Sequence, residues 1–119
     1  MTDFCIQIHT DRAPDLDLAA VREACALLAQ DKNLVKCFTV IEKGCVDHFN
    51  IMFKTEQPRA FWDVLSMALF KCGTHGAALR NAAIIMCEGT HGWDDYRLLH
   101  HYDPAQNLDP APTCQSRSV

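Results

Sequence analysis

The sequence predicts an α+β domain of the ferredoxin-like class. In that class an antiparallel sheet carries two helices on one face, and the elements follow the order β-α-β-β-α-β. Two observations lead to this prediction. Three short segments alternate side chains with the period of two that is typical of strands, and a fourth is a run apolar enough for a buried strand. Two longer segments repeat apolar residues at helical spacing, and they separate the strands in the required order.

Four strands are predicted, the first three from alternation and the fourth from its apolar run. They are residues 3–9, 34–43, 48–54 and 82–88, and the second and third form a hairpin across a short loop containing Gly44. A further alternation over residues 96–102 predicts an extra edge strand at the carboxyl end, with a single helical turn as the alternative.

The two predicted helices have recognisable ends. The first, residues 14–30, opens with Pro14 followed by Asp15 and Asp17, which suits a first helical turn. The second begins near Pro58 and ends at Gly73, a residue that can cap a helix. Residues 77–81 fit either an extension of this helix or a linker. The buried stripe of the second helix is predicted to be Phe61, Val64, Leu65, Ala68 and Leu69.

Length and composition indicate one domain, residues 1–103, followed by a proline-containing tail, residues 104–119, that is either disordered or laid along the surface. The net charge of −4 and the scattered lysines and arginines disfavour nucleic-acid binding. No apolar run approaches the roughly 18 residues that span a bilayer, and the amino terminus lacks the pattern of a secretion signal. We therefore expect a cytoplasmic protein that does not bind membranes.

The seven cysteines are expected to be packing residues. Their number is odd, none forms a CxxC pair, and Cys5, Cys25, Cys37 and Cys87 lie in apolar runs. In a reducing compartment such cysteines behave as small hydrophobic residues and do not form a disulfide framework.

No catalytic, metal or cofactor site is predicted. The sequence contains no GxSxG, P-loop, GxGxxG or HExxH motif. No two of the six histidines stand at the i, i+4 spacing of a helical zinc site, and on a strand His100 and His101 would face opposite sides.

Protein recognition is the function that the remaining pattern favours. Aromatic, acidic and imidazole side chains are concentrated near the carboxyl end, where protein interfaces would use the aromatic groups as anchors and the acids as a rim. An acidic surface suits a basic protein partner, such as a nuclease domain that must hold phosphates. The alternative for each residue is a role in closing the edge of the core or capping a turn. The predicted partner-binding residues are Trp93, Asp94, Asp95, Tyr96, His100, His101, Tyr102 and Asp103.

A resemblance points the same way. The runs GWDDY (residues 92–96) and LLHHYDP (residues 98–104) resemble the carboxyl-terminal part of small cytosolic immunity proteins of bacterial polymorphic-toxin systems. The resemblance implies a protein that binds and neutralises a cognate toxin and performs no chemistry of its own.

Two other functions stay open at this stage. One is a small enzyme or ligand-binding domain that uses the uncovered sheet face, with His9, His48 and His100 near a pocket. The other is a homodimeric structural module in which the uncovered sheet faces of two copies stack on each other.

Overall fold

A computed structural model describes residues 1–42, 48–71, 75–89, 91–110 and 112. The sheet that these residues form contains five strands. The strands are β1 (Thr2–His9), β2 (Cys37–Glu42), β3 (His48–Thr55), β4 (Ala83–Gly89) and β5 (Gly92–His100). The four predicted strands and the extra carboxyl-terminal strand are therefore all present.

The sheet is open and entirely antiparallel, with the strand order β2-β3-β1-β4-β5. β1 lies at its centre, and its Ile6 stands opposite Ile51 of β3 on one side and Ile85 of β4 on the other. β2 and β5 form the two edges, so their outer backbone groups face away from the sheet.

In the described part of the chain the sheet is accompanied by three α-helices: α1 (Leu18–Ala29), α2 (Pro58–Ser66) and α3 (Gly76–Arg80). The Asp17 carboxylate caps α1 by accepting the Ala20 N–H at 3.1 Å. Pro58 occupies the first turn of α2, where its missing N–H leaves no hydrogen bond unmade. α2 runs into a π-helical turn, Met67–Lys71, and a 3-10 turn, Thr10–Arg12, follows β1.

The core lies between the helices and one face of the sheet. Alternate residues of β1 (Phe4, Ile6 and Ile8) are fully buried there. Phe61 of α2 packs against Phe4 and Phe53, with ring centroids 4.9 Å apart in each pair. Burying side chains of this size contributes about 1.5–3 kcal/mol each. The helical stripe and the strand alternation thus meet in one hydrophobic layer.

Several sequence-based expectations need correction. α1 begins at Leu18 and not at residue 14, because Asp17 and not Pro14 provides the cap. Val64 is 39% exposed, since the buried line of α2 runs through Phe61 and Leu65. Cys37 is exposed, because β2 is an edge strand and carries no helix over that face. Residues 77–81, left open above, lie mainly in α3. The predicted cap Gly73 and the hairpin loop around Gly44 lie outside the described residues.

Within the part of the chain that the structure describes, no helix combines the length and the apolar character needed to cross a membrane.

Candidate functional site

The first part of β5 departs from a regular strand. Gly92 stands opposite Gly89 and Arg97 stands opposite Cys87, so four residues of β5 correspond to the single residue Glu88 of β4. We call these four residues, 93–96, the β5 bulge. Bulges of this kind leave residues unpaired and redirect their side chains.

All four side chains of the β5 bulge are exposed. Trp93 is 40% and Tyr96 is 51% accessible, and the carboxylates of Asp94 and Asp95 lie between them in sequence. In a regular strand alternate residues would face the core, so the irregular pairing is what allows four consecutive side chains to face solvent. The structure therefore brings together the four predicted binding residues 93–96.

Two glycines make this geometry accessible. Gly92 has a φ of +71°, a left-handed conformation that other residues rarely adopt. At Gly89 an added Cβ would overlap the carbonyl oxygen of Asp95, so the backbone of the bulge approaches β4 too closely for any side chain. His91 and Asp95 form an ion pair of 3.5 Å when the imidazole is protonated, and both are exposed enough that the pair adds little stability.

The other four predicted binding residues do not join this surface as one group. His100 is half-buried: its ring lies 4.7 Å from that of Phe70, and its Nε2 is 3.1 Å from the Arg80 carbonyl oxygen. Burial lowers the pKa of His100 and outweighs the hydrogen bond to Arg80, which acts to raise it. His100 thus packs against the helical layer.

Tyr102 belongs to a separate cluster at the end of β1. Its ring carries the Arg12 guanidinium, whose carbon lies 4.0 Å from the ring centroid, and contacts His9 and His101 at centroid distances of 5.2 and 4.5 Å. The Arg12 Nε donates to the Asn81 carbonyl oxygen at 2.8 Å. These contacts attach the chain that follows β5 to the end of β1, the core-edge role considered above for Tyr102.

Asp103 closes the turn that follows. Its backbone N–H donates to His101 Nδ1 at 3.0 Å, and its carboxylate accepts the Ala105 N–H at 3.0 Å. The Ala105 N–H, followed by the Gln106 amide, lowers the pKa of the Asp103 carboxyl group. Asp103 is therefore engaged in local structure.

The tail runs beside β5 where the structure describes it. Asp109 pairs with Leu98 twice: its carboxylate accepts the Leu98 N–H at 2.7 Å, and its N–H donates to the Leu98 carbonyl oxygen at 2.8 Å. Arg97 Nη1 donates to the Pro110 carbonyl oxygen at 3.5 Å, and Pro112 is buried. Residues 104–110 are exposed and lie along the surface, whereas Pro112 does not. Sequence reasoning missed Asp109, because an isolated aspartate among prolines gives no periodic signal.

The three buried thiols that the structure describes, those of Cys5, Cys25 and Cys87, lack the features of a reactive centre. Burial raises the pKa of Cys25 to about 12 and that of Cys87 to about 11, and it raises the pKa of Cys5. A thiol that stays protonated at neutral pH is a poor nucleophile and a poor metal ligand. Among the described residues no group of three or more His, Cys, Asp or Glu side chains is close enough to hold a metal ion.

A shallow cleft of about 320 Å³ lies between the 3-10 turn and α3. Arg12, Asp15, His75 and Asn81 contribute polar groups to it. Neither His9 nor His100 lines this cleft. The two histidines have different neighbours, since His9 contacts Gln7 and Tyr102 while His100 contacts Phe70 and Arg80. This cleft therefore does not bring the two histidines together, and the side chain of His48 lies outside the described residues.

No protein-family model, curated protein or solved structure matches this chain.

Proposed function

We propose that this chain is a non-catalytic protein-binding module and that the β5 bulge is its binding surface. One observation carries the proposal: Trp93, Asp94, Asp95 and Tyr96 are consecutive and all exposed at the edge of the sheet. Exposed Trp and Tyr side chains are the groups that most often dominate protein interfaces.

The aromatic side chains have enough free surface to act as anchors. With Trp93 40% exposed, roughly 100 Å² of an indole of about 250 Å² remains to be buried. At about 25 cal/mol per Å² this corresponds to about 2.5 kcal/mol, from which side-chain ordering subtracts about 0.5 kcal/mol. Tyr96, at 51%, has a similar area available. An exposed ion pair contributes about 0–1 kcal/mol, so the aromatic contacts would dominate the affinity.

The acids of the bulge favour a basic partner. Asp94 and Asp95 are exposed, and the whole chain carries a charge of −4. Such groups at the rim of an interface steer a positively charged partner and accelerate association, an effect that salt screens. The chemistry thus fits a basic protein domain.

The proposed biological role is that of an immunity protein, which binds and neutralises a cognate bacterial toxin in the cytoplasm of its host. The resemblance of residues 92–104 to immunity proteins supports this role. We also propose that the fold is ferredoxin-like with β5 added at one edge. Two β-α-β units support this topology. In the first, β1 and β2 are parallel and β3 lies between them; in the second, β3 and β4 are parallel and β1 lies between them.

Affinity capture tests the binding surface. The wild-type chain and the double variant W93A/Y96A serve as baits in a lysate of the native host, and captured proteins are identified by mass spectrometry. The matched control is L27A, which truncates a 61% exposed residue of α1. The partner, once purified, is titrated by calorimetry. We expect each alanine in the bulge to weaken binding by about 2 kcal/mol, or roughly 30-fold, and L27A to have no effect.

The charge of the bulge is tested in the same titration. D94N/D95N should slow association and flatten its dependence on salt, whereas E23Q, at an exposed position on α1, should leave both unchanged. Equal affinity of the wild-type chain and W93A/Y96A would remove the β5 bulge from the interface.

The immunity role needs a separate measurement. The captured partner is expressed in a heterologous bacterium with and without this chain, and growth is recorded. Growth arrest by the partner alone and rescue by the wild-type chain, but not by W93A/Y96A, is the expected result. If the captured partner is harmless to the cell, the immunity role is wrong, while the proposal that the β5 bulge binds a protein still stands.

A further inference from the structure

The cleft of about 320 Å³ between the 3-10 turn and α3 is a second candidate for binding, apart from the β5 bulge. Its volume lies at the lower end of the range for small-molecule sites, roughly 300–1,000 Å³. Ala13, Leu16 and Ala78 give it an apolar lining, and Leu16 is buried. Because such a lining removes hydrocarbon from water, the cleft can hold a small ligand that has an apolar part.

The polar side chains of the cleft do not satisfy one another. Asp15, His75 and Asn81 line it, and their side chains make no hydrogen bond or ion pair with any described residue. Ligand sites typically combine an apolar lining with a few convergent polar groups that fix the orientation of the ligand. The cleft has this combination.

Arg12 reaches the same cleft with its guanidinium already held in place. Its Nε donates to the Asn81 carbonyl oxygen at 2.8 Å, and its central carbon lies 4.0 Å from the centroid of the Tyr102 ring. Neither contact uses the two terminal nitrogens, which have no hydrogen-bond partner within the part of the chain that the structure describes. An arginine that is fixed before binding loses less conformational entropy when it binds a carboxylate.

The charges of Arg12 and Asp15 select the kind of ligand. Both side chains line the cleft, yet no ion pair between described residues joins them, so their charged atoms lie more than 4.0 Å apart. A simple anion would be attracted by Arg12 and repelled by Asp15, and a simple cation would meet the reverse. A ligand that carries both a carboxylate and an ammonium group complements both charges.

We propose that this cleft binds a small α-amino acid with an aliphatic side chain. The ligand carboxylate accepts hydrogen bonds from the terminal nitrogens of Arg12, its ammonium group donates to the Asp15 carboxylate, and its side chain lies against Leu16 and Ala78. Arginine can hold a carboxylate by two parallel hydrogen bonds, which fix its orientation as well as adding affinity. None of residues 93–96 lines the cleft, so this proposal does not rest on the protein-binding function proposed above.

The affinity for such a ligand should be low. The cleft is shallow, and Arg12 and Asp15 are exposed, so water and salt weaken each charged contact. We therefore expect a dissociation constant in the millimolar range for a ligand of this size. Added sodium chloride should raise it further, because both contacts are screened.

A nuclear magnetic resonance titration of the full chain tests the proposal. L-Leucine is the probe, and 4-methylpentanoate and 3-methylbutylamine are matched ligands that lack its ammonium group and its carboxylate, respectively. L-Leucine should shift the backbone amide signals of Asp15, Leu16 and Ala78 in a saturable manner. Each matched ligand should bind about fivefold more weakly or worse, because it leaves one charge of the cleft without a partner.

Two variants connect each ligand group with its residue. D15N should bind L-leucine and 4-methylpentanoate equally, and R12Q should bind L-leucine and 3-methylbutylamine equally, because the residue that distinguishes each pair is gone. E23Q and R59Q make the same charge changes at exposed positions that do not line the cleft, and they should keep the wild-type affinity. The amide spectrum of each variant verifies that it is folded.

Three results would each overturn the proposal. The first is the lack of saturable shifts at roughly 20 mM L-leucine. The second is a wild-type chain that binds either matched ligand as tightly as L-leucine. The third is a folded D15N chain that still prefers L-leucine over 4-methylpentanoate as strongly as the wild-type chain does.

Discussion

The contact between Asp109 and Leu98 should contribute measurably to stability, although it joins a tail to an edge strand. In D109A the Leu98 N–H loses a carboxylate acceptor at 2.7 Å. A hydrogen bond to a charged group contributes about 1.5–3 kcal/mol when it is shielded from water. Because this contact is exposed, water replaces part of the bond, and we expect D109A to lower the free energy of unfolding by about 1 kcal/mol.

Urea denaturation provides the assay. With a slope of roughly 1.5 kcal/mol/M, a loss of about 1 kcal/mol lowers the midpoint by roughly 0.7 M. D109N is the matched control, because its amide oxygen still accepts the Leu98 N–H and only the charge is lost. Its midpoint should lie between those of the wild-type chain and D109A. Hydrogen exchange at the Leu98 amide should accelerate in the same order.

A contrary result would be a free energy of unfolding for D109A within about 0.3 kcal/mol of the wild-type value, together with an unchanged exchange rate of the Leu98 amide. The Asp109 carboxylate would then not hold the tail on β5 in solution.

Two further predictions concern residues next to the β5 bulge. Gly89→Ala should destabilise the fold by about 1–3 kcal/mol, because the added Cβ overlaps the Asp95 carbonyl oxygen. Thermal unfolding measures this loss, and unchanged stability would contradict the prediction. His100 should make stability depend on pH. Burial lowers its folded-state pKa below the unfolded value of 6.5, so as pH falls below about 6.5 the unfolded chain takes up the proton first and stability decreases until the folded-state pKa is passed. H100Q should reduce this slope between about pH 7.5 and pH 5 in urea denaturation, and an identical slope would contradict it.

The alternation of β1 and the apolar run of β4 each predicted a strand that the structure contains. Phe4, Ile6 and Ile8 are fully buried, as their period of two predicts, and Phe61 and Leu65 form the buried line of α2. These patterns arise from contact with one large hydrophobic layer, so they can be read without knowing which strands are neighbours. The α+β class follows from the same patterns.

The candidate site was predictable only in part, because its geometry depends on pairing. The sequence singled out Trp93 and Tyr96 by residue type, yet it predicted a strand beginning only at Tyr96. The bulge is set by how β5 registers with β4 around Glu88, which no single-strand pattern records. The sequence groups His100 with Trp93 because the two residues are near each other in the chain. In the structure His100 instead packs against the ring of Phe70 in the helical layer.

The two edges of the sheet differ in the groups that they expose. β5 carries exposed aromatic and acidic groups, and there a bulge and the Asp109 contact disrupt the backbone edge that would otherwise pair without selectivity. The binding that we propose at that edge would therefore rely on side chains, which can distinguish one partner from another. β2 keeps the regular backbone pairing that β5 lacks, since Cys37–Glu42 pairs with β3 residue by residue.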